Sequence, residues 1–375
     1  MLEGNIQLSL MIGPVVPVPV GRDVIDALQS ITVRRAAGEP SGFQLVFQIS
    51  NNSPLTPLLL LLGQVGPFIR VVITVVVNGS PSVLMDGVIV HHQVQPDVMS
   101  GRSTLTITGS DLTAVMGFVD FTGIPYPAMP REARVALIVA KYAAFGMIPL
   151  VIPSVFLDVP IPVDRIPVHR GTDLEYLNEM AEEVGYVFYV EPGPVPLTNI
   201  AYWGPEIKVG PPQPALNVNM DVHTNVESLS FQFDGTSKVM PIVFVQNEQT
   251  KIPIPIPIPD ISPLNPPLGL IPPFPARFEL MRDTAKLNPV QAVMLGLAKA
   301  AKTSDALTAT GSLDVLRYGR PLNARSLVGV RGAGDAFDGL YFVKSVTHQI
   351  RRGEYKQDFT LVRNGLLSTV PRVPA

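Results

Sequence analysis

From Pro253 to Pro259 every second residue is a proline, in the stretch Lys251-Ile252-Pro253-Ile254-Pro255-Ile256-Pro257-Ile258-Pro259. Proline fixes φ near about −65° and carries no N–H, so no helix can run through this segment. It must be extended. In an extended strand alternate residues direct their N–H to the same edge. The prolines therefore strip the donors from one edge, while Ile252, Ile254, Ile256 and Ile258 keep theirs on the other. Such a strand pairs on one side only, and its blocked edge resists further strand addition. The isoleucines share one face and the prolines the opposite one. Prolines continue to Pro275. The pattern predicts an extended arm laid against another protein surface; the alternative is a stiff linker between domains.

The rest of the 375-residue chain is long enough for two or three domains, and its charge content limits what they can be. Only 16% of residues are charged while 46% are hydrophobic. Such a chain either spans a membrane or buries much of its surface against other subunits. Apolar runs such as Leu58 to Leu62 fall far short of the roughly 20 residues a spanning helix needs. The N-terminus carries Glu3, no basic start and interrupting prolines, so no secretory signal is expected. Burial in an assembly is the expectation. The net charge of −3 and the lack of a long basic stripe argue against nucleic acid as the primary partner. Zero cysteines exclude disulfides, thiolate metal sites and a cysteine nucleophile, and fit synthesis in a reducing cytoplasm.

Period-two patterning dominates the first third. Phe43, Leu45, Phe47 and Ile49 fall on one face of a strand. Further strands are expected over Ile69–Val77 and Val83–Val94, joined by Asn78-Gly79-Ser80-Pro81, and at Leu105–Thr108. Ser53-Pro54-Leu55 predicts a short helix ending at Gly63, and Ser110-Asp111-Leu112 another. The middle is helical. Arg131–Phe145 carries an apolar stripe of Val135, Ile138, Val139, Tyr142 and Phe145. Thr172-Asp173-Leu174-Glu175 reads as a capping box, with Leu174, Leu177, Ala181 and Val184 as the buried face and Gly185 as the stop. A strand follows at Tyr186–Val190. The last third predicts strands at Glu227–Phe233, Met240–Val245, Ala306–Tyr318, Ser326–Arg331, Leu340–Ile350 and Glu354–Arg363, with a helix from Asn288 to about Lys302. The final pair forms a hairpin over Arg351-Arg352-Gly353.

This gives a mainly β chain with helices (α+β): a first β-barrel-like domain over 1–125, a helix-containing middle over 126–205, and a second β-barrel over 206–375 with a Pro-rich insertion at 251–275.

No catalytic, cofactor-binding or metal-ligating residue is expected. Of the five histidines, His91 and His92 adjoin in a strand and point to opposite faces, and His169, His223 and His348 stand alone. No His-Glu-x-x-His spacing exists. Gly329-Val330-Arg331-Gly332-Ala333-Gly334 superficially resembles a nucleotide loop, but a strand rather than a helix follows, so these glycines belong to a turn. Asp335 and Asp338 lack the ligand count of a calcium loop. Asp173, Glu175, Glu182 and Glu183 are explained by capping and solvent exposure.

Three segments together resemble the phage late-control D proteins, the baseplate-hub family. Phe43–Ile49 with Leu84-Met85-Asp86-Gly87-Val88-Ile89-Val90 resembles that family's opening barrel. Thr172 to Tyr186 resembles its middle helix. Tyr341 to His348 and Tyr355 to Arg363 resemble its last hairpin. The resemblance implies a structural hub subunit of a contractile phage tail or phage-like injection system, similar also to the hub part of type VI secretion spike proteins. It implies a homotrimer whose barrels alternate around a channel, with a trimeric spike on one side and the inner tube or tube-initiator proteins on the other. Other baseplate proteins would be further partners, and the location would be an assembled particle. Twelve residues follow Arg363 and no lysozyme-like insertion is present, so a separate spike and no enzymatic activity are implied. Two rival readings are a tail-associated cell-wall hydrolase and a surface-binding module. The latter would need an exposed aromatic platform, and Trp203 is the only tryptophan.

Overall fold

The structure, a computed structural model, describes residues 6–49, 69–97, 102–154, 160, 166–246, 252–259, 265–281, 284 and 289–370. The helix expected from Ser53 lies outside these residues. The first third supplies β1 (Ile6–Pro14), β2 (Val18–Pro19), the short helix α1 (Arg22–Ala27), β3 (Leu28–Ala36), β4 (Gly42–Ile49), β5 (Ile69–Val77), β6 (Ser80–Asp97) and β7 (Arg102–Asp111). The middle supplies α2 (Arg131–Ala140), β8 (Met147–Val151), α3 (Asp173–Glu182), β9 (Val187–Pro192) and β10 (Asn199–Gly204). The remainder supplies β11 (Gln213–Asn217), β12 (Ser228–Phe233), β13 (Val239–Gln246), β14 (Pro253–Pro257), β15 (Gly269–Ile271), β16 (Arg277–Met281), α4 (Pro289–Lys302), β17 (Leu307–Asp314), α5 (Val315–Tyr318), β18 (Leu327–Arg331), β19 (Gly339–Arg351), β20 (Glu354–Arg363) and β21 (Leu366–Ser368).

Local chemistry accounts for much of this. Phe43, Leu45 and Phe47 of β4 are buried while Gln44 and Gln48 are exposed, the alternation of a half-solvated strand. Asn78 and Gly79 both take positive φ, 50° and 81°, which makes the tight hairpin turn between β5 and β6. The Thr172 capping box forms as its sequence demands, and α3 buries Tyr176, Leu177, Met180 and Ala181. Leu174 is only partly buried against that core. The helix expected over Arg131–Phe145 ends at Ala140, followed by a single 3-10 turn at Ala143–Phe145 and Gly146 at φ 70°. The strand expected over Ala306–Tyr318 stops at Asp314, whose carboxylate accepts from the Arg317 N–H at 3.0 Å and starts α5.

The two expected barrels are not two closed barrels. Among the described residues one sheet of 13 strands runs in the order β12-β17-β20-β19-β3-β4-β7-β6-β5-β1-β2, with β18 and β11 branching from β19, and no sheet closes. The reason lies in β19. Its first residues pair with β18 from Gly339 to Phe342. Past Lys344, where the ladder to β20 shifts register, the strand pairs instead with β3, from Ser345↔Ala36 to Arg351↔Ser30. An edge that could have closed the second half is thus spent on the first. One hydrophobic cluster consequently contains Phe43, Ile73 and Leu105 together with Leu313, Val346, Tyr355 and Leu361. A second cluster forms around Val135, Ile138, Leu177, Met180 and Trp203 in the middle region.

The proline segment is an edge strand, as its pattern requires. β14 pairs antiparallel with β13 alone, in a separate sheet of order β14-β13-β16. Ile258 donates its N–H to the Pro241 carbonyl at 3.0 Å, so the isoleucine donors face β13 and the proline nitrogens face the open edge. The arm docks on its own chain: Ile258 is buried with Val243 against Ala292 of α4.

Candidate functional site

The core-facing residues of the large sheet leave every second side chain on its other face, and there hydroxyls and amides predominate. One row crosses His91, Thr108, Gln44, Thr32 and Gln349. A parallel row crosses Gln93, Thr106, Val46 and Ser30. On the last-third side Thr347, Asp358, Ser312 and Ser228 form another, and Ser345, Thr360, Thr310 and Ser230 a fourth. Hydroxyls meet hydroxyls across strands, Ser228 to Ser312 at 2.8 Å and Ser230 to Thr310 at 2.9 Å. Some of the charges on this face are paired: Lys356 with Glu227 at 3.0 Å and Glu354 at 3.3 Å, and Arg34 with Glu39. The β3–β19 junction makes the face continuous from one half of the chain to the other. Such a surface holds water well and offers no aromatic anchor of the kind that centres a dry interface.

Behind it, buried charges fasten the middle region to the sheet. Arg70 of β5, 2% exposed, donates to both carboxylate oxygens of Asp86, at 2.7 and 2.6 Å. Its remaining donors reach the Phe145 and Val15 carbonyls at 2.8 and 3.1 Å. Asn199 completes the site by donating to Asp86 at 2.9 Å. At the β3–β19 junction Glu191 accepts from Arg325 at 2.7 Å and pairs with Arg35 at 3.3 Å. Arg325 also lies 4.1 Å over the Tyr189 ring. Beside it, burial pushes the Asp111 carboxyl above its ordinary range, although Thr113 and Ser41 donate to it.

The histidines are not brought together. His91 and His92 are exposed on β6, and His223 is exposed in a short turn. His169 is buried with Nδ1 3.0 Å from the Tyr126 hydroxyl and Nε2 3.5 Å from Asp173, which also accepts from Lys141 and Tyr142 at 2.7 Å each. His348 sits with Nδ1 2.8 Å from the Tyr355 hydroxyl and 3.1 Å from the Gln357 amide. Glu175 serves its cap, and Glu183 pairs with Arg131 at 3.0 Å. The glycines at 332 and 334 take positive φ in a turn, where Asp338 accepts the N–H groups of Gly332 and Ala333 and Asp335 is exposed. Trp203 is fully buried against Tyr186 and offers no platform. Among the described residues no group of three or more His, Asp or Glu side chains converges as a metal site, and no helix is long and apolar enough to cross a membrane.

A second surface lies on the small sheet. One of its faces packs on α4, through Val243, Ile256, Ile258 and Met281, with Glu279 paired to Lys299 at 3.4 Å. Alternation puts Pro253, Pro255 and Pro257, then Met240, Ile242 and Phe244, then Phe278 and Leu280 on the other face. Phe278 is 60% exposed and Leu280 50%. The sequence signal for this bare face is the isoleucine–proline alternation itself.

No protein-family model matches the chain. No curated protein matches it by sequence. Solved structures do share its fold. A tail protein from Neisseria meningitidis is 13% identical with a TM-score of 0.64, over 97% of this chain and 98% of that one. The 43 kDa tail protein of prophage MuSo2 from Shewanella oneidensis is 14% identical with a TM-score of 0.61, over 96% and 98%. A chain of the Francisella PdpA-VgrG complex is 8% identical with a TM-score of 0.62, covering all of this chain and 55% of that one.

Proposed function

We propose that the protein is a structural hub subunit of a contractile tail or phage-like injection particle, without catalytic activity, a reading supported by the fold it shares with solved tail proteins over nearly the whole chain. Three copies form a ring that joins a central spike to the inner tube, with 1–125 and 206–375 alternating around a channel and 126–205 bracing them from outside. The observation that carries this reading is the hydroxyl- and amide-lined face that continues across both halves of the sheet. A channel wall has to stay wet and release what passes it, and a hydrogen-bonding face rich in hydroxyls and amides, without aromatic anchors, does both. The scarcity of charge, 16% of residues, fits burial of the remaining surface against other subunits.

Cryo-electron microscopy of particles carrying a tag on this chain tests the reading. Three copies per ring, with Thr106, Thr310 and Thr347 facing the lumen, are expected. Another copy number, or these threonines packed dry against a neighbour, overturns it. Purified protein is expected to leave peptidoglycan uncut in a zymogram.

A further inference from the structure

The sequence contains two Asn-Gly pairs, Asn78-Gly79 and Asn364-Gly365. In such a pair the glycine nitrogen stands next to an amide carbon it can attack, and no Cβ shields it. The fold sets the two pairs apart. Asn78 and Gly79 are both exposed in the turn between β5 and β6, with φ 50° and 81°, and a Cβ built on Gly79 meets nothing within 4 Å. At the other pair Asn364 is half-buried, and its Oδ1 accepts the N–H groups of Leu268 and Gly269 at 2.9 and 2.8 Å. Gly365 is buried, and a Cβ on it would collide with the Ile271 carbonyl oxygen.

Asn78 also has a structural role. Its Nδ2 donates to the Gly319 carbonyl at 3.0 Å, across 241 positions of sequence. Gly319 caps α5, which follows β17, the second strand from one end of the large sheet, while β5 lies third from the other end. The bond exists because the sheet curves round, and it ties one end region to the other.

We infer that Asn78 is a site of spontaneous deamidation, and that the reaction undoes this tie. The Gly79 backbone nitrogen attacks the side-chain carbonyl carbon of Asn78. The new C–N bond closes a cyclic imide, the Cγ–Nδ2 bond breaks, and the amide leaves as ammonia with the proton that Gly79 gives up. Solvent water then opens the ring at either carbonyl, to aspartate or isoaspartate; no electrons change hands. Both products replace the amide donor by a carboxylate, which the Gly319 carbonyl oxygen repels. Isoaspartate also routes the main chain through the side-chain carbon, in a tight turn whose flanking residues Val77 and Ser80 are paired. Asn364 is spared, because ring closure there has to break two hydrogen bonds and move a buried glycine. The inference stands apart from the hub reading.

The test holds purified full-length protein at mildly acidic and mildly alkaline pH in heavy-oxygen water, then maps tryptic peptides by mass. Cleavage at Arg70, Arg102, Arg363 and Arg372 puts the two pairs on separate peptides. The Asn78 peptide is expected to gain the amide-to-acid mass with the label, in proportion to hydroxide concentration. The gain is at least about tenfold faster than in the Asn364 peptide, whose surroundings must open first. In urea the two rates become equal. An unchanged Asn78 peptide, equal rates in the folded protein, or the same difference in urea overturns the inference. Asn78→Asp presents the product carboxylate directly and is expected to speed amide exchange at Gly319 at least about twofold, the worth of a weak hydrogen bond. Exchange equal to wild type would overturn the loss of the tie.

Discussion

Arg70 and Asp86 lie on neighbouring strands, one diagonal step apart, and close a two-point ion pair that water does not reach. Because Arg70 also holds the Phe145 carbonyl, the pair acts between the sheet and the middle region. Removing one partner strands the other charge in the core, at a cost of about 3–5 kcal/mol. Asp86→Leu is expected to lower the urea unfolding free energy by that amount. Arg70→Met costs at least as much, since it also leaves carbonyls without a donor. The double variant costs less than the sum of the singles, which a double-mutant cycle reads directly.

His348 makes stability depend on pH. Burial, with a smaller push from Arg35, lowers its pKa from the ordinary 6.5 to about 3. Above pH 6.5 neither the folded nor the unfolded chain protonates this group. Below it the unfolded chain alone takes the proton, so stability falls as pH falls, until about pH 3. The slope is about 1.4 kcal/mol per pH unit. His348→Gln lacks this term. The unfolding free energies of wild type and variant are therefore expected to converge by that slope from pH 6.5 downward, and parallel curves would contradict the assignment.

Local signals were legible where a single segment decides its own structure. The Thr172–Glu175 box, the Asn78-Gly79 turn and the 351–353 hairpin are fixed by neighbouring residues. The edge position of the proline strand follows from donors that the sequence simply lacks. The junction of β3 with β19 was not legible, because each strand's alternation is satisfied by any partner of matching pattern. The expectation of two separate barrel-like domains missed the sheet they share for that reason. Arg70 and Asp86 did leave a trace: each is a lone charge in an apolar strand, Ile69–Val77 and Leu84–Val90, and each such charge needs the other.

Helix α4 meets the small sheet through Ala292, Gly296 and Ala300. A Cβ on Gly296 would lie 2.7 Å from an Ile258 side-chain carbon and 2.8 Å from one of Val243. Gly296→Leu is expected to overpack this contact and lower stability by roughly 1–3 kcal/mol. Protease cleavage within residues 252–259 should accelerate, while Gly21→Ala, with nothing near its Cβ, changes neither property.

The prolines of β14 are expected to matter more for solubility than for folding. Replacing Pro253, Pro255 and Pro257 together by threonine restores N–H donors to an exposed edge beside Ile252 and Ile254. Concentration-dependent self-association in sedimentation velocity is the expected outcome, with the thermal midpoint nearly unchanged. Monodisperse behaviour equal to wild type would mean that the donors were not what kept the edge apart.

The pairing of Ala36 with Ser345 and of Ser30 with Arg351 sets an order of events in the making of the molecule. A ribosome releases β3 early, yet the strand that covers its second edge, Gly339–Arg351, emerges only much later. Until then the first third carries an uncovered strand edge and an incomplete core, and non-local closure of this kind is slow. Completion of the fold thus depends on translation having passed Arg351, and a product truncated before it keeps an adhesive edge that marks it for chaperones or proteolysis.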